Sequence, residues 1–469
     1  MKKIISLLCC FVMLFTVGVF GACQPNTMSG YALTIAYDAG GYGTDWVENA
    51  ITKFCAKEGI DRSQVYLEAE KGYTDTINDK LSTNTQIRDL IIGTGGTIMF
   101  WGAMGYLEPI DDVLESKLST GVKIKDALLN PKSIDAGSYG GHYYGFPASA
   151  SGAWGIYYNA SMFEEKGWTV PTTFAELKTL CATIYRDCVS DVENENDRIY
   201  PFVCSSDINN YWDFVVMNWV VQLMGIDAYN EYIKFDREES RGNFAAGTVY
   251  AQAKQGALEA WKEIAIDNEH WIVTNSSDFL AAQMLFAQGK IAMMPNGDWF
   301  EKEVSGSLPE DMKIAIMKTP YLENAKTDED GNPIDVNFSG GGGGWIIPKA
   351  AQNKSMAKKF LKFMAEEEQC RDKFLLSGQM SAFTCDYTAI LDDMTYCQKS
   401  VYEMTKNAEN FSFITTSPLA IANKATFWMD GAGVPYGRML YNGLTPAGYI
   451  NSEANYIARE WNNLWDLMD

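Results

Sequence analysis

Tyr31-Ala-Leu-Thr-Ile-Ala-Tyr37 runs into Asp38-Ala-Gly-Gly41, and this pair of segments decides the fold. An apolar run that stops at turn residues reads as a strand. Residues 45–57 follow, with Val47, Ile51 and Phe54 or Cys55 at helical spacing. Val65-Tyr-Leu-Glu-Ala69 is a second strand, and Asp89-Leu-Ile-Ile92 a third that stops at Gly93-Thr-Gly-Gly96. Strand, helix and strand in this rhythm predict an α/β sheet.

Further elements read the same way. Thr173-Phe-Ala-Glu176 is a capping box, in which hydroxyl and carboxylate satisfy each other's backbone donors. Leu177, Leu180, Cys181 and Ile184 then form one helical face. Residues 355–375 read as one helix, with Met356, Phe360, Leu361 and Met364 inward. The C-terminal residues carry Tyr456, Ile457, Trp461, Leu464, Trp465 and Met468 at helical spacing, which suits core packing. Residues 192–198 and 327–333 read as surface loops; neither has EF-hand spacing with Gly at the sixth position, so they give only a weak calcium signal.

The composition narrows the chemistry. The 469 residues suit two or three domains, and 47% hydrophobic residues provide a core. A net charge of −22 repels phosphate backbones, so nucleic acid is not an expected partner. With only His142 and His270 there is no His-rich metal site, and a His-dependent triad has few candidates. Thirteen Trp, 25 Tyr and 23 Phe supply more flat apolar surface than a core requires.

Met1-Lys2-Lys3 and the uncharged residues 4–20 have the pattern of a secretory signal. Gly21-Ala22 before Cys23 resembles a bacterial lipobox, with Phe20 where Leu is usual. Residues 1–22 are therefore expected to be a lipoprotein signal peptide, Cys23 the lipidated residue, and 23–30 a linker outside the cytoplasm. No later segment is long and apolar enough to span a bilayer. Cys55, Cys181, Cys188, Cys204, Cys370, Cys385 and Cys397 remain, an odd set with long spacings and no CxxC, which suits small buried apolar side chains. Cys181 and Cys188 sit two helical turns apart, about 10 Å, too far to bridge.

Gly340 to Gly344 precede Trp345-Ile-Ile-Pro348 with no Gly-Lys-Ser/Thr, so they are not a phosphate loop, and Ile98 occupies the third glycine of a dinucleotide fingerprint. No cofactor is expected. Such a run lets the backbone turn freely or lets a ligand approach the main chain.

Several segments, in order, resemble one family. They are Trp101-Gly-Ala-Met-Gly-Tyr-Leu-Glu-Pro-Ile-Asp-Asp112, Gly141-His-Tyr-Tyr-Gly-Phe-Pro147 and Ile156-Tyr-Tyr-Asn159 with Phe163-Glu-Glu-Lys-Gly-Trp168. Pro171-Thr-Thr-Phe, Gly289-Lys-Ile-Ala-Met-Met-Pro-Asn-Gly-Asp-Trp299 and the helix after Pro348 complete the set. Together they are similar to extracellular solute-binding proteins of carbohydrate ABC importers. The resemblance implies a two-lobed periplasmic-binding-protein-like (type II) α/β fold with the ligand cleft between lobes. It implies crossings near Phe146-Pro147 and Phe338 to Gly341, a first lobe of 31–146 plus 340–380, and a second of 147–339 plus 381–469. It also implies a monomer, tethered through lipid on Cys23 to the outer face of the bacterial cell membrane, that hands a carbohydrate to an ABC permease. The family's tryptophan at the position of Trp299 stacks on ligand.

A sugar stacks its C–H face on aromatic rings and asks its hydroxyl rim for fixed donors and acceptors. Strand ends are where α/β sheets gather ligands. Tyr42, Asp45 and Trp46 follow the first strand, and Thr94 and Thr97 the third. Ser149 and Ser151 lie past the first crossing, Asp207, Tyr211 and Trp212 past residues 200–203, and Asn296, Asp298 and Trp299 past residues 291–294. Gly341 lies in the second crossing. Trp46 reads equally as the first buried residue of its helix, Asp45 as a helix cap, and Trp101, Trp154 and Trp219 as core. Two other classes stay open: a secreted glycoside hydrolase, which would need two carboxylates facing one bond, and a receptor for a peptide or polyamine, the latter with Asp45, Asp207 and Asp298 converging.

Overall fold

The computed structural model describes residues 28, 30–94, 98–147, 152–205, 209–276, 279–338, 344–406, 408–411, 413, 417–422 and 424–466. Two five-stranded sheets organise two lobes. In the first, the order is Val65–Glu70, Leu33–Asp38, Leu90–Thr94, Gly344–Ile346, Gly145–Pro147. The first three strands are parallel, and Gly344–Ile346 runs antiparallel to both neighbours. In the second, the order is Ile314–Met317, Gly155–Asn159, Ile291–Asn296, Tyr200–Ser205, Ile272–Ser276. The last three are parallel, and the first two pair antiparallel.

Alternation along the strands feeds two core layers. Leu33, Ile35, Leu90 and Ile92 face Val47, Ile51 and Phe54 of the helix Asp45–Glu58, whereas Ala36, Ile91 and Ile346 face Ile98 and Trp101. A sheet buried on both faces explains why these strands read as unbroken apolar runs. In the second lobe the helix Asp213–Met224 is apolar nearly all round because other elements enclose it. Its buried Asn218 accepts the Phe338 N–H and donates to the Phe214 carbonyl, tying the strand Val336–Phe338 to it.

The capping box closes as read: Thr173 Oγ1 accepts the Glu176 N–H at 3.2 Å and Glu176 accepts the Thr173 N–H at 3.0 Å. The single helix expected over 355–375 is instead two, Lys354–Met364 and Glu367–Ser377. Glu366 takes an extended conformation between them (φ −70°, ψ 144°), and its carboxylate holds the Ser119 N–H and hydroxyl. The break redirects the second helix so that Cys370 packs in the first lobe and Phe374 in the second. Beyond it, Ala382 and Phe383 still pack with the first lobe, and Tyr387 and Met394 with the second. The C-terminal helix starts earlier than its apolar face suggested, at a Thr445 cap with Pro446 in its first turn, and runs Pro446–Trp465.

The seven described cysteines are free, and all but Cys385 are buried. Among the described residues, no helix is long and apolar enough to cross a membrane. Cys23 and the signal segment lie outside the described residues.

Candidate functional site

The carboxyl ends of both sheets face one another, and the lobes touch there. The turn after Leu33–Asp38 brings Gly41 against Trp299: a Cβ on Gly41 would stand 2.8 Å from the Trp299 Cβ, and φ is +63°. Glycine is required there on both counts. Next to it, Tyr42 donates its hydroxyl to Asp298 Oδ1 at 2.7 Å, across the lobe boundary. Two further contacts span the gap. Lys302 Nζ pairs with Asp45 at 2.6 Å, and Lys71 Nζ lies 5.1 Å from the Phe279 ring centroid, with Glu303 nearby. The short helix Pro418–Ile421 of the second lobe lies against Ile98–Ala103 of the first.

Trp299 is the hub of an aromatic cluster. Its ring centroid lies 5.2 Å from Trp154, 5.8 Å from Phe214, 5.9 Å from Tyr211 and 6.1 Å from Tyr42, all steeply inclined. Trp154 continues to Phe338 at 5.7 Å. Phe338 in turn borders an open recess of about 520 Å³ in the second lobe, lined also by Asp213, Phe413, Lys424, Trp428 and Tyr456. A row of aromatic rings thus leads from the lobe junction into the second lobe. A smaller void under Tyr211, Trp212, Phe279 and Asn296 has room for little more than one water molecule. Asn296 Oδ1 accepts the Gly297 N–H, while the buried Nδ2 has no partner among the described residues.

The junction carries two displaced ionisations. Burial pushes the Asp298 carboxyl up to about 7, opposed by the Tyr42 hydrogen bond and by the charge on Lys373. Burial brings Lys373 down to about 8, opposed by the charges of Cys370 and Asp298. Its ammonium stands 5.5 Å from the Trp46 ring centroid and 5.8 Å from that of Trp345. The Trp154 indole N–H points toward Asp298 without completing a hydrogen bond.

Asp298 ionises near 7 when folded and near 3.8 when unfolded, so the native state holds the extra proton between these values, and stability falls as pH rises through that window. Asp298→Asn lacks this loss and can still accept from Tyr42. Its stability relative to the parent chain should therefore improve by about 1–3 kcal/mol between pH 5 and pH 8. Denaturant melts at the two pH values check this, and a constant difference would mean that Asp298 is ionised throughout.

The structure brings Tyr42, Tyr211, Asn296, Asp298 and Trp299 together, with Asp45 at the rim. Trp46 is placed elsewhere. It is 3% exposed, stacked on Trp345 at 5.7 Å, and donates its indole N–H to Tyr37 at 3.1 Å, so it belongs to the first-lobe core. Trp212 is 1% exposed and donates to Cys204 Sγ, leaving it as the floor of the small void rather than a stacking platform. Thr94 ends its strand opposite Gly344. Thr97, Ser149, Ser151, Asp207 and Gly341 lie outside the described residues. Asp45 and Asp298 do not converge on one cation: one pairs with Lys302, the other accepts from Tyr42. Composition and spacing missed Lys71, Lys302 and Lys373, whose roles exist only through partners far along the chain. Trp154, read as core, is partly buried and touches Trp299.

Comparison with known proteins follows the same outline. Residues 49–389 match the family model described as bacterial extracellular solute-binding protein. The diacetylchitobiose binding protein NgcE of Streptomyces coelicolor is 23% identical over 360 residues, which cover 74% of this chain and 68% of that protein. A maltooligosaccharide ABC transporter solute-binding lipoprotein of Streptococcus pneumoniae is 24% identical over 311 residues, 65% of this chain and 63% of that protein. Among solved structures, a chitin oligosaccharide binding protein superposes with a TM-score of 0.64 at 16% identity, covering 92% of this chain and 100% of that one.

Proposed function

The chain belongs to the bacterial extracellular solute-binding proteins, and from that premise we propose that it binds an oligosaccharide between its lobes and delivers it to the permease of an ABC importer. The observation that carries this reading is the aromatic row from Tyr42 and Trp299 through Trp154 to Phe338, which joins both lobes to the recess at Trp428. Flat rings beside a few fixed polar groups suit a saccharide's two kinds of surface. The relatives named for diacetylchitobiose and maltooligosaccharides support the ligand class.

The residues that would hold the sugar are Tyr42, Tyr211, Asn296, Asp298 and Trp299, with Trp154 and Phe338 extending the row. The tight fit of Gly41 on Trp299 means that a ligand enters only when the lobes part. Closure then re-forms the Tyr42–Asp298 and Asp45–Lys302 contacts around it, and the ligand supplies the free energy that holds them. The protein acts outside the cytoplasm as a receptor and leaves the saccharide unaltered. Anchoring through lipid on Cys23 and function as a monomer belong to the same proposal, supported by the lipobox-like Gly21-Ala22-Cys23.

Calorimetry with diacetylchitobiose, maltotriose and a panel of longer oligosaccharides tests the reading. Saturable binding is expected, with about −8 kcal/mol for a micromolar ligand, and chromatography should recover the sugar intact. No binding across the panel, or the appearance of shorter products, would overturn it.

A further inference from the structure

The recess of the second lobe holds a carboxylate whose setting is built for recognition. Asp213 opens the helix Asp213–Met224 and lines the recess. Its Oδ1 accepts the Trp428 indole N–H at 2.9 Å and the Tyr436 hydroxyl at 2.6 Å. Both side-chain donors from the described residues fall on Oδ1, and Oδ2 has none among them. The two donors come from residues more than two hundred positions away, so tertiary structure spends two polar side chains on aiming one carboxylate.

The backbone behind Trp428 is equally fixed. Lys254 Nζ donates to the Phe427 carbonyl at 2.6 Å, and Glu453 Oε1 accepts the Met429 N–H at 2.8 Å. Trp428 therefore sits between two anchored neighbours, and Asp213 is held by a wall with little freedom to move. Preorganised acceptors of this kind bind without a large ordering cost. Burial also pushes this carboxyl up to about 6, opposed by the Tyr436 and Trp428 hydrogen bonds. A group kept in so apolar a place gains most from one further donor.

We propose that Asp213 is a specificity-determining residue, whose Oδ2 accepts a hydrogen bond from a hydroxyl of the saccharide portion that enters the recess beside Trp428 and Phe338. Phe338 links this position to Trp154 and Trp299, so one oligosaccharide would run from the lobe junction to Asp213. The inference rests on the saccharide reading above and assigns the far end of that ligand.

Asp213→Asn tests it, because the amide keeps one oxygen for Trp428 and Tyr436 and presents a donor where the ligand needs an acceptor. The probes are diacetylchitobiose, maltotriose and the longer oligosaccharides of the panel, titrated calorimetrically into parent and variant. The expected result is at least a tenfold rise in Kd for the sugar the parent binds, with the melting temperature kept within a few degrees. In the parent chain, the carboxyl 13C resonance of Asp213 should also move on addition of that sugar, a readout independent of how the variant folds. Unchanged affinity in a folded variant, or a resonance that stays in place, overturns the role of Asp213 and leaves the saccharide reading standing. No binding of any sugar by the parent overturns both.

Discussion

Lys254→Met should lower the stability of the second lobe by about 3–5 kcal/mol. Lys254 and Glu453 are each about 1% exposed, and Nζ lies 2.7 Å from Oε1. All three ammonium protons are used, on the Tyr232 hydroxyl at 2.7 Å, the Phe427 carbonyl at 2.6 Å and Glu453. Glu453 Oε1 accepts two more, from the Met429 N–H and the Tyr449 hydroxyl, both at 2.8 Å. Aromatic faces complete the shell, with the ammonium 4.5 Å from the Phe427 ring centroid and 4.9 Å from that of Tyr232. Intact, such a pair roughly balances its own desolvation. Broken, it leaves a carboxylate in an apolar core with no counter-charge, and that asymmetry sets the size of the loss. Glu453→Gln should cost less, because its amide oxygen still accepts from Met429 and Tyr449. The double variant should cost less than the two single losses added, since no buried charge remains. Denaturant melts followed by tryptophan fluorescence check this, and single variants within 1 kcal/mol of the parent would show that the pair is not needed.

This pair also marks what the sequence conceals. Lys254 lies on an amphipathic helix and looks like any solvated lysine; only the arrival of Glu453, 199 residues later, makes it a core residue. The first-lobe strands were legible because their spacing depends on nothing but neighbours, and the observed Leu33–Asp38, Val65–Glu70 and Leu90–Thr94 differ from the reading by one or two residues at their ends. The capping box was legible for the same local reason. The break at Glu366 was not, because the partner its carboxylate meets there, Ser119, is 247 residues away in sequence. Site residues divide along the same line. Trp46 and Trp299 both follow glycine-containing turns; Trp46 reads equally as the first buried residue of its helix, and the Asn-Gly-Asp turn before Trp299 favours exposure there. Trp345 and Lys373 close over the first, and the gap between lobes leaves the second partly open. Asp213 and Trp428, 215 residues apart, carry no shared signal in the chain at all.

Trp299→Ala should weaken oligosaccharide binding at least tenfold, which is about 1.4 kcal/mol. Trp299 has aromatic partners from both lobes, Tyr42 from the first and Trp154, Phe214 and Tyr211 from the second. An indole buries roughly 150–250 Å² and each favourable ring pair adds about 0.5–1.5 kcal/mol, so its removal takes away both a stacking surface and the support of its neighbours. Two effects must be told apart. If Trp299 served only to close the lobes on Gly41, the alanine variant would shift the open–closed balance, seen as a larger radius of the unliganded chain in solution scattering, and would lose affinity only in step with that shift. If it stacks on the ligand, affinity falls even in the closed form, and Trp299→Phe, which keeps a flat ring, recovers part of it. Trp299 packs against the second-lobe core, so the melting temperature of the alanine variant should fall as well, and binding is compared at a temperature where both chains are folded. Equal affinity in the alanine variant and the parent would remove Trp299 from the site and, with it, the aromatic row as the path of the ligand.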